Sequence, residues 1–151
     1  VPSYWMPPAA TAQSIEEQLP APCRFDSAEA ESAYNRTIKA TLTAAYKSEK
    51  YVPIREARKN LPIYHKRAEI LETIAHNQVT VVSGETGSGK TTQLPLYLLE
   101  NMLSTERASV CNIVCTQPRR IAAVSVAERV HYESAQTGNT ASYYIHYTVP
   151  D

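Results

Sequence analysis

An eight-residue segment, residues 84–91, contains the residue types whose chemistry is most readily recognised in this chain. It reads Gly-Glu-Thr-Gly-Ser-Gly-Lys-Thr and holds three of the chain's four glycines. It matches the pattern G-x-x-x-x-G-K-[ST], in which backbone amides and a lysine surround the phosphates of a nucleoside triphosphate. An apolar, β-branched run at residues 78–83 precedes it, and helix-forming residues 92–102 follow it. We therefore predict a strand, a phosphate loop and a helix, in that order.

The residue types in the phosphate loop (residues 84–91) suit a polyphosphate. Glycine at 84, 87 and 89 allows positive φ angles and a close approach of the backbone to an anion. The loop amides and the positive end of the following helix dipole attract the same anion. The Lys90 ammonium would lie beside the β- and γ-phosphates, and the Thr91 hydroxyl would ligate Mg²⁺. Lys90 and Thr91 are therefore the catalytic candidates, and Thr91 is the candidate metal ligand. A flexible Gly/Ser loop with an incidental lysine is the alternative. The predicted nucleotide-binding residues of the loop are Gly84, Glu85, Thr86, Gly87, Ser88, Gly89, Lys90 and Thr91.

Length, composition and charge limit the possible classes of protein. The 151 residues suit one domain plus an appendage, and no apolar run reaches the roughly 18 residues of a membrane span. Fifteen Lys and Arg balance fifteen Asp and Glu, so nucleic-acid binding has to depend on local patches. Three cysteines without a C-x-x-C pair, and no visible signal peptide, favour a reduced intracellular protein, cytoplasmic or nuclear.

The part of the chain before the phosphate loop divides into two regions. Residues 1–25 are proline-rich and lack periodicity, so we expect a linker or a disordered lead. Residues 26–60 form a helical extension, because apolar side chains recur at four-residue spacing after a capping residue, Asp26 or Ser27. Pro53 fits the first turn of a second, short helix in this extension.

Residues 61–151 alternate between helix and strand patterns. A third helix is predicted over residues 63–76, ahead of the phosphate loop. After the loop, residues 110–116 read as a second strand, a helix with Pro118 in its first turn extends to about His131, and residues 141–147 could form a third strand. Such alternation implies an α/β fold, in which parallel strands are joined by right-handed crossovers and flanked by helices.

These segments resemble the beginning of the first RecA-like domain of DEAH/RHA-type (DExH-box) RNA helicases, which belong to helicase superfamily 2. The resemblance implies a partial RecA-like P-loop NTPase domain preceded by a helical, Pro-rich extension. It also implies an ATP-dependent RNA helicase that uses ATP and Mg²⁺ and binds RNA, single-stranded or duplex with a single-stranded tail. It covers about residues 61–131 and is based on Leu-Pro-Ile at 61–63, GETGSGKTTQLP at 84–95, CTQPRR at 115–120 and AAVSVAERV at 122–130.

The resemblance further implies roles for five residues. Thr92 would be an additional phosphate contact, and Arg129 would stack on the adenine base. Thr116, Arg119 and Arg120 would lie along the sugar–phosphate backbone of RNA. Two guanidinium groups at a helix start can hold a phosphate without reading base sequence, and a planar cation can cover a purine face. A solvated basic pair and a surface salt bridge are the respective alternatives.

The resemblance weakens towards the carboxyl end of the chain. Family members carry a Val-Gly-Tyr-x-Ile-Arg-x-Glu-like segment, of which residues 141–148 keep only Tyr143 and Ile145. The DExH element and the second RecA-like domain would lie beyond Asp151, so we expect this chain alone to bind ATP without appreciable hydrolysis or unwinding. Two other functions stay open: a truncated, non-catalytic nucleotide- or RNA-binding fragment, and another P-loop NTPase such as a small-molecule kinase.

Overall fold

The computed structural model describes residues 25–134 and 145–148, so most of the proline-rich segment and the first half of the predicted third strand lie outside the described residues. No helix in these two ranges is long and apolar enough to cross a bilayer. The described ranges contain five α-helices and two strands. They are α1 (Ala28–Lys47), α2 (Val52–Lys59), α3 (Arg67–His76), α4 (Lys90–Ser104), β1 (Ile113–Thr116), α5 (Arg120–Glu133) and β2 (Ile145–Thr148).

The helical extension folds as its sequence pattern predicts. Ser27, rather than Asp26, caps α1, and its hydroxyl accepts a hydrogen bond from the Ala30 amide at 3.1 Å. The short helix α2 has Pro53 in its first turn, where the missing amide has no intrahelical partner to lose. The third predicted helix is also confirmed, as a 3₁₀ turn at Pro62–Lys66 that continues into α3.

Helix α4 is the centre of the packing. Leu96, Leu99 and Leu103 recur along one face and are at most 3% exposed, in a core that also includes Leu42 of α1 and Val130 of α5. On the other side of α4, the buried Tyr97 packs with Ile63 and Ile70. Because α4 begins at Lys90, this packing fixes the end of the helix that carries the phosphate loop.

The two strands pair in parallel. Ile113 lies opposite Ile145, and Thr116 lies opposite Thr148. A parallel pair needs a crossover connection, and α5 lies in the segment that joins the two strands. The predicted parallel pairing is therefore confirmed for β1 and β2, and the described residues form an α/β arrangement with more helix than sheet.

The prediction of a strand at residues 78–83 is wrong for the described structure. The segment has no regular secondary structure, and no described strand pairs with it. Its burial still alternates, because Val79 and Val81 are 80% and 88% exposed while Thr80 and Val82 are partly buried. The segment has the side-chain pattern of a strand, but a strand also requires a neighbouring backbone to which it can hydrogen-bond.

Two element boundaries after α4 also differ from prediction. The strand predicted over residues 110–116 begins only at Ile113, because Ala108–Val110 forms a 3₁₀ turn closed by a hydrogen bond from the Cys111 amide to the Ala108 carbonyl (3.1 Å). The following helix starts at Arg120 with Arg119 as its N-cap, so Pro118 precedes the helix instead of occupying its first turn.

Candidate functional site

The phosphate loop turns sharply into the amino end of α4. Gly87 and Gly89 have φ angles of 83° and 94°, in the left-handed region that favours glycine, and Gly89 is the N-cap of α4. Gly84 is not in this region, so only the two later glycines of the loop use the freedom of a positive φ angle. A Cβ at Gly84 would lie 3.3 Å from Ser88 Oγ and 3.6 Å from Lys90 Nζ. Gly84 therefore leaves room for the lysine head group instead of making a turn.

The Lys90 ammonium group lies inside the loop. Its Nζ donates to the carbonyl oxygens of Gly84 (2.5 Å) and Glu85 (2.7 Å) and to Ser88 Oγ (3.2 Å). All three acceptors are uncharged, and a phosphate oxygen would be a stronger partner for the cation. A cation held beside the amino end of a helix is a favourable environment for an anion, so these residues fit a polyphosphate.

The Leu61–Ile63 segment supports the loop from outside. The Ile63 amide donates to the Ser88 carbonyl at 3.2 Å. A Cβ built on Gly89 would lie 3.0 Å from Leu61 Cδ1 and 3.1 Å from both Ile63 Cγ2 and Gln93 Cγ. The Leu-Pro-Ile sequence thus contacts the phosphate loop directly, although about 25 residues separate them along the chain.

Substituting Gly87 and Gly89 with alanine should separate the cost of the left-handed backbone from the cost of steric crowding. Gly87→Ala adds a Cβ that meets nothing within 4 Å, so it should destabilise the fold by about 1 kcal/mol through its φ angle alone. Gly89→Ala adds contacts of 3.0–3.1 Å to the same strain, and we expect a loss of about 2 to 3 kcal/mol. Urea unfolding of both variants measures the difference. Equal losses would show that the packing around Gly89 is unimportant.

The two threonines after Lys90 differ in their surroundings. Thr91 is exposed in the first turn of α4, as a residue predicted to reach a metal ion should be. Thr92 is half-buried, and its hydroxyl lies 3.4 Å from the Gly89 carbonyl and accepts a hydrogen bond from Gln93 Nε2 at 3.0 Å. Within residues 25–134 and 145–148, no group of three or more His, Cys, Asp or Glu side chains is placed to hold a metal ion.

Arg129 takes part in a salt bridge, which was the alternative to base stacking. Its Nε donates to the Glu133 carboxylate one helical turn later, and its guanidinium lies 5.9 Å from the centre of the Tyr132 ring. The Arg129 side chain is 57% exposed, whereas that of Glu133 is 4% exposed. More than half of the Arg129 side chain therefore remains open to solvent in this arrangement.

The three residues predicted to contact RNA lie near the end of β1 and the start of α5. Thr116 is the last residue of β1, Arg119 is the N-cap of α5, and Arg120 is its first residue. All three are exposed. Among the described carboxylates, none forms an ion pair with either arginine. The structure thus places two positive charges at a helix amino terminus, with no ion-pair partner in the part of the chain that it describes.

A buried polar network beside the loop was not predicted. Arg58 of α2 is 7% exposed, and its guanidinium donates to Glu100 Oε1 (2.6 Å), the Tyr51 hydroxyl (2.6 Å) and Gln93 Oε1 (2.7 Å). Arg67 forms a second ion pair with Glu100 at 3.1 Å. The sequence did contain a signal for this, since Tyr51, Ile54 and Arg58 recur at the spacing of one helix face and two of the three are apolar.

The charge state of this network follows from its surroundings. Burial lowers the pKa of Arg58, but the Glu100 carboxylate and the nearby tyrosines outweigh burial, so the pKa lies above its usual range. Burial, and then Glu100, raise the pKa of Tyr46, whose hydroxyl donates to Glu100 at 3.1 Å. Arg58 is therefore a permanent cation, and Tyr46 remains a neutral donor near neutral pH.

Comparison with curated proteins identifies helicases among the relatives of this chain, although no family model matches it. The ATP-dependent DNA/RNA helicase DHX36 of Mus musculus is 48% identical over 99 residues, which are 64% of this chain and 10% of that protein. The DExH-box ATP-dependent RNA helicase DExH3 of Arabidopsis thaliana is 55% identical over 87 residues, or 57% of this chain and 7% of its own length. The Homo sapiens ATP-dependent RNA helicase DHX29 is 56% identical over 82 residues, or 54% and 6%. The chain thus spans about a tenth or less of these relatives. Over the matched part, this sequence is similar to DExH-box helicases, which confirms the resemblance inferred from its motifs.

Proposed function

We propose that this chain forms the nucleotide- and RNA-binding beginning of the first RecA-like domain of a DExH-box ATP-dependent RNA helicase. The observation that carries the proposal is the Lys90 ammonium group, held inside a glycine loop at the amino end of the central helix. Hydrolysis coupled to RNA unwinding is the activity we propose for the intact protein. Each of the three relatives above is named as a helicase, which favours this function over a small-molecule kinase.

The phosphate loop is the proposed site for ATP. The triphosphate would replace the Gly84 and Glu85 carbonyl oxygens as partners of Lys90, and the left-handed turns at Gly87 and Gly89 keep side chains out of its way. Mg²⁺ usually keeps several waters and binds one or two protein groups together with phosphates. The exposed hydroxyl of Thr91 suits such a site, and it is the metal ligand we propose.

The start of α5 is the proposed RNA contact. Arg119 and Arg120 are exposed and unpaired among the described residues, and both lie at the positive end of the α5 dipole. Thr116 lies three residues before Arg119. Phosphate contacts of this kind fix the position of a strand and carry no base specificity. The proposal therefore predicts binding of single-stranded RNA that depends on salt and is largely independent of sequence.

The double substitution Arg119→Ala/Arg120→Ala tests this RNA contact. Losing two phosphate contacts should weaken the binding of a single-stranded oligonucleotide about tenfold at low salt and should reduce the slope of log K against log salt by about 1.4. Fluorescence anisotropy with a labelled oligouridylate, at several salt concentrations, measures both quantities. The matched control, Arg36→Ala/Lys50→Ala, removes the same charge from exposed positions in the helical extension. If both double variants behave alike, the effect is one of net charge and the contact is wrongly assigned.

A further inference from the structure

One buried carboxylate connects the two halves of the proposed nucleotide site. Glu133 is the last residue of α5 and is 3% exposed. Its Oε1 accepts a hydrogen bond from Arg129 Nε, and its Oε2 accepts one from Gln93 Nε2. The resemblance to DExH-box helicases implies that Arg129 stacks on the adenine base, and we include it in the proposed nucleotide site. Gln93 lies in the first turn of the helix that follows the phosphate loop. Glu133 therefore forms hydrogen bonds with Arg129 on the base side of the proposed site and with Gln93 on its phosphate side.

The orientation of Gln93 is fixed by its partners. Its side chain is fully buried, and Oε1 accepts from Arg58 Nε at 2.7 Å while Nε2 donates to Glu133 and to Thr92 Oγ1. A guanidinium group can only donate, and an ionised carboxylate can only accept. Hence the amide has a single orientation that satisfies Arg58 and Glu133 together.

The helical extension holds the far end of this chain of hydrogen bonds. Arg58 belongs to α2 and is bound by Glu100 as well as by Gln93. The Tyr51 hydroxyl accepts a hydrogen bond from Arg58 and donates one to the main-chain carbonyl of Glu133 at 2.9 Å. Two separate contacts from the extension thus reach Glu133, one through Gln93 and one through Tyr51.

We propose that Glu133 is a positioning residue that sets the Arg129 guanidinium relative to the phosphate loop, and that Gln93 and Arg58 hold Glu133 in place. This inference depends on the proposed nucleotide site and deepens it. Arg129 is a long, half-exposed side chain, and a fixed partner reduces the entropy that it loses when it covers a base. The proposal also gives the helical extension a function, because Arg58 of α2 is the first residue in the chain of hydrogen bonds that holds Glu133.

The test compares two ligands in the full 151-residue chain: ATP with Mg²⁺, and inorganic tripolyphosphate with Mg²⁺, which has no base. In Glu133→Gln, an amide with one acceptor and one donor replaces two acceptors, so either Arg129 or Gln93 loses its partner. We expect affinity for ATP to fall about tenfold, as for the loss of one cation–π contact, with affinity for tripolyphosphate unchanged. Glu106→Gln, an exposed glutamate paired with Lys39, is the matched control and should change neither affinity.

Exchanging the amide of Gln93 and the carboxylate of Glu133 between their two positions should restore the hydrogen bonds of the site. In the double variant Q93E/E133Q, the carboxylate at position 93 accepts from Arg58 and from the new amide, whose oxygen accepts from Arg129. This variant should recover most of the affinity for ATP that E133Q loses. Arg129→Ala, a substitution at an exposed position, should show the same loss for ATP alone, and adding E133Q to it should cause no further loss.

Each outcome separates the positioning role from the nucleotide site itself. Equal losses for ATP and tripolyphosphate in E133Q, no loss for either, or additive losses with Arg129→Ala would each overturn the role of Glu133. If the unsubstituted chain binds ATP and tripolyphosphate equally well, Arg129 makes no base contact and the positioning role fails while the phosphate loop stands. If the folded chain binds neither ligand, the proposed nucleotide site fails and this inference fails with it.

Discussion

Replacing Glu100 with alanine should destabilise the fold by about 3 to 5 kcal/mol, because it leaves a buried guanidinium group without its carboxylate. Glu100 pairs with Arg58 at 2.6 Å and with Arg67 at 3.1 Å, and the side chains of Glu100 and Arg58 are 12% and 9% exposed. An arginine guanidinium stays protonated near neutral pH even without a carboxylate partner, so the folded state cannot avoid the cost by releasing a proton. Denaturant unfolding monitored by circular dichroism gives the free energy of unfolding.

An exposed ion pair provides the control for this loss. Glu106 pairs with Lys39 at 3.0 Å, and both side chains are more than 40% exposed. Glu106→Ala should therefore change the free energy of unfolding by at most about 1 kcal/mol. If Glu100→Ala costs no more than this control, the Arg58 network contributes little to the link between the helical extension and α4.

Replacing Lys90 with alanine should lower the affinity for ATP and Mg²⁺ at least about 100-fold, since the triphosphate loses charge-assisted hydrogen bonds from the ammonium group. Lys90 has no carboxylate partner among the described residues, and its present acceptors are two loop carbonyls and a hydroxyl. The substitution should therefore leave the unfolding temperature of the ligand-free chain nearly unchanged. The increase in that temperature on adding ATP should disappear.

Lys66→Ala is a suitable comparison for Lys90→Ala. Lys66 is an exposed lysine that pairs with Glu69 at 2.6 Å, and about two thirds of each side chain is exposed. Its removal changes the net charge by the same amount but leaves the phosphate loop intact, so affinity for ATP should be retained. A similar loss of affinity in both variants would mean that ATP binding depends on the overall charge of the chain and not on the phosphate loop.

Features that depend on neighbouring residues in the sequence were predictable. A cap at Asp26 or Ser27, the position of Pro53 and the helix after the phosphate loop all follow from residues within one or two helical turns. The failure of residues 78–83 to pair as a strand was not predictable in the same way. The alternating pattern of this segment is present in the burial of its side chains, but pairing depends on a distant segment that its own sequence does not specify.

The candidate site shows the same division. The phosphate loop was recognised from eight consecutive residues, although only Gly87 and Gly89, and not Gly84, have the left-handed backbone. The network around Gln93 joins it to Arg58, 35 residues earlier, and to Glu133, 40 residues later. Arginine, glutamine and glutamate are residue types that usually lie at the surface, so the sequence alone would place all three side chains in solvent. Their burial becomes apparent only in the structure, where they pack against one another.

Titration of the folded 151-residue chain with ATP in the presence of Mg²⁺, followed by calorimetry, tests the phosphate loop most directly. We expect saturable binding of one nucleotide per chain, competition by inorganic tripolyphosphate, and no detectable binding to Lys90→Ala. A chain that is folded by circular dichroism and binds no nucleoside triphosphate under these conditions would contradict the assignment of residues 84–91 as a nucleotide site.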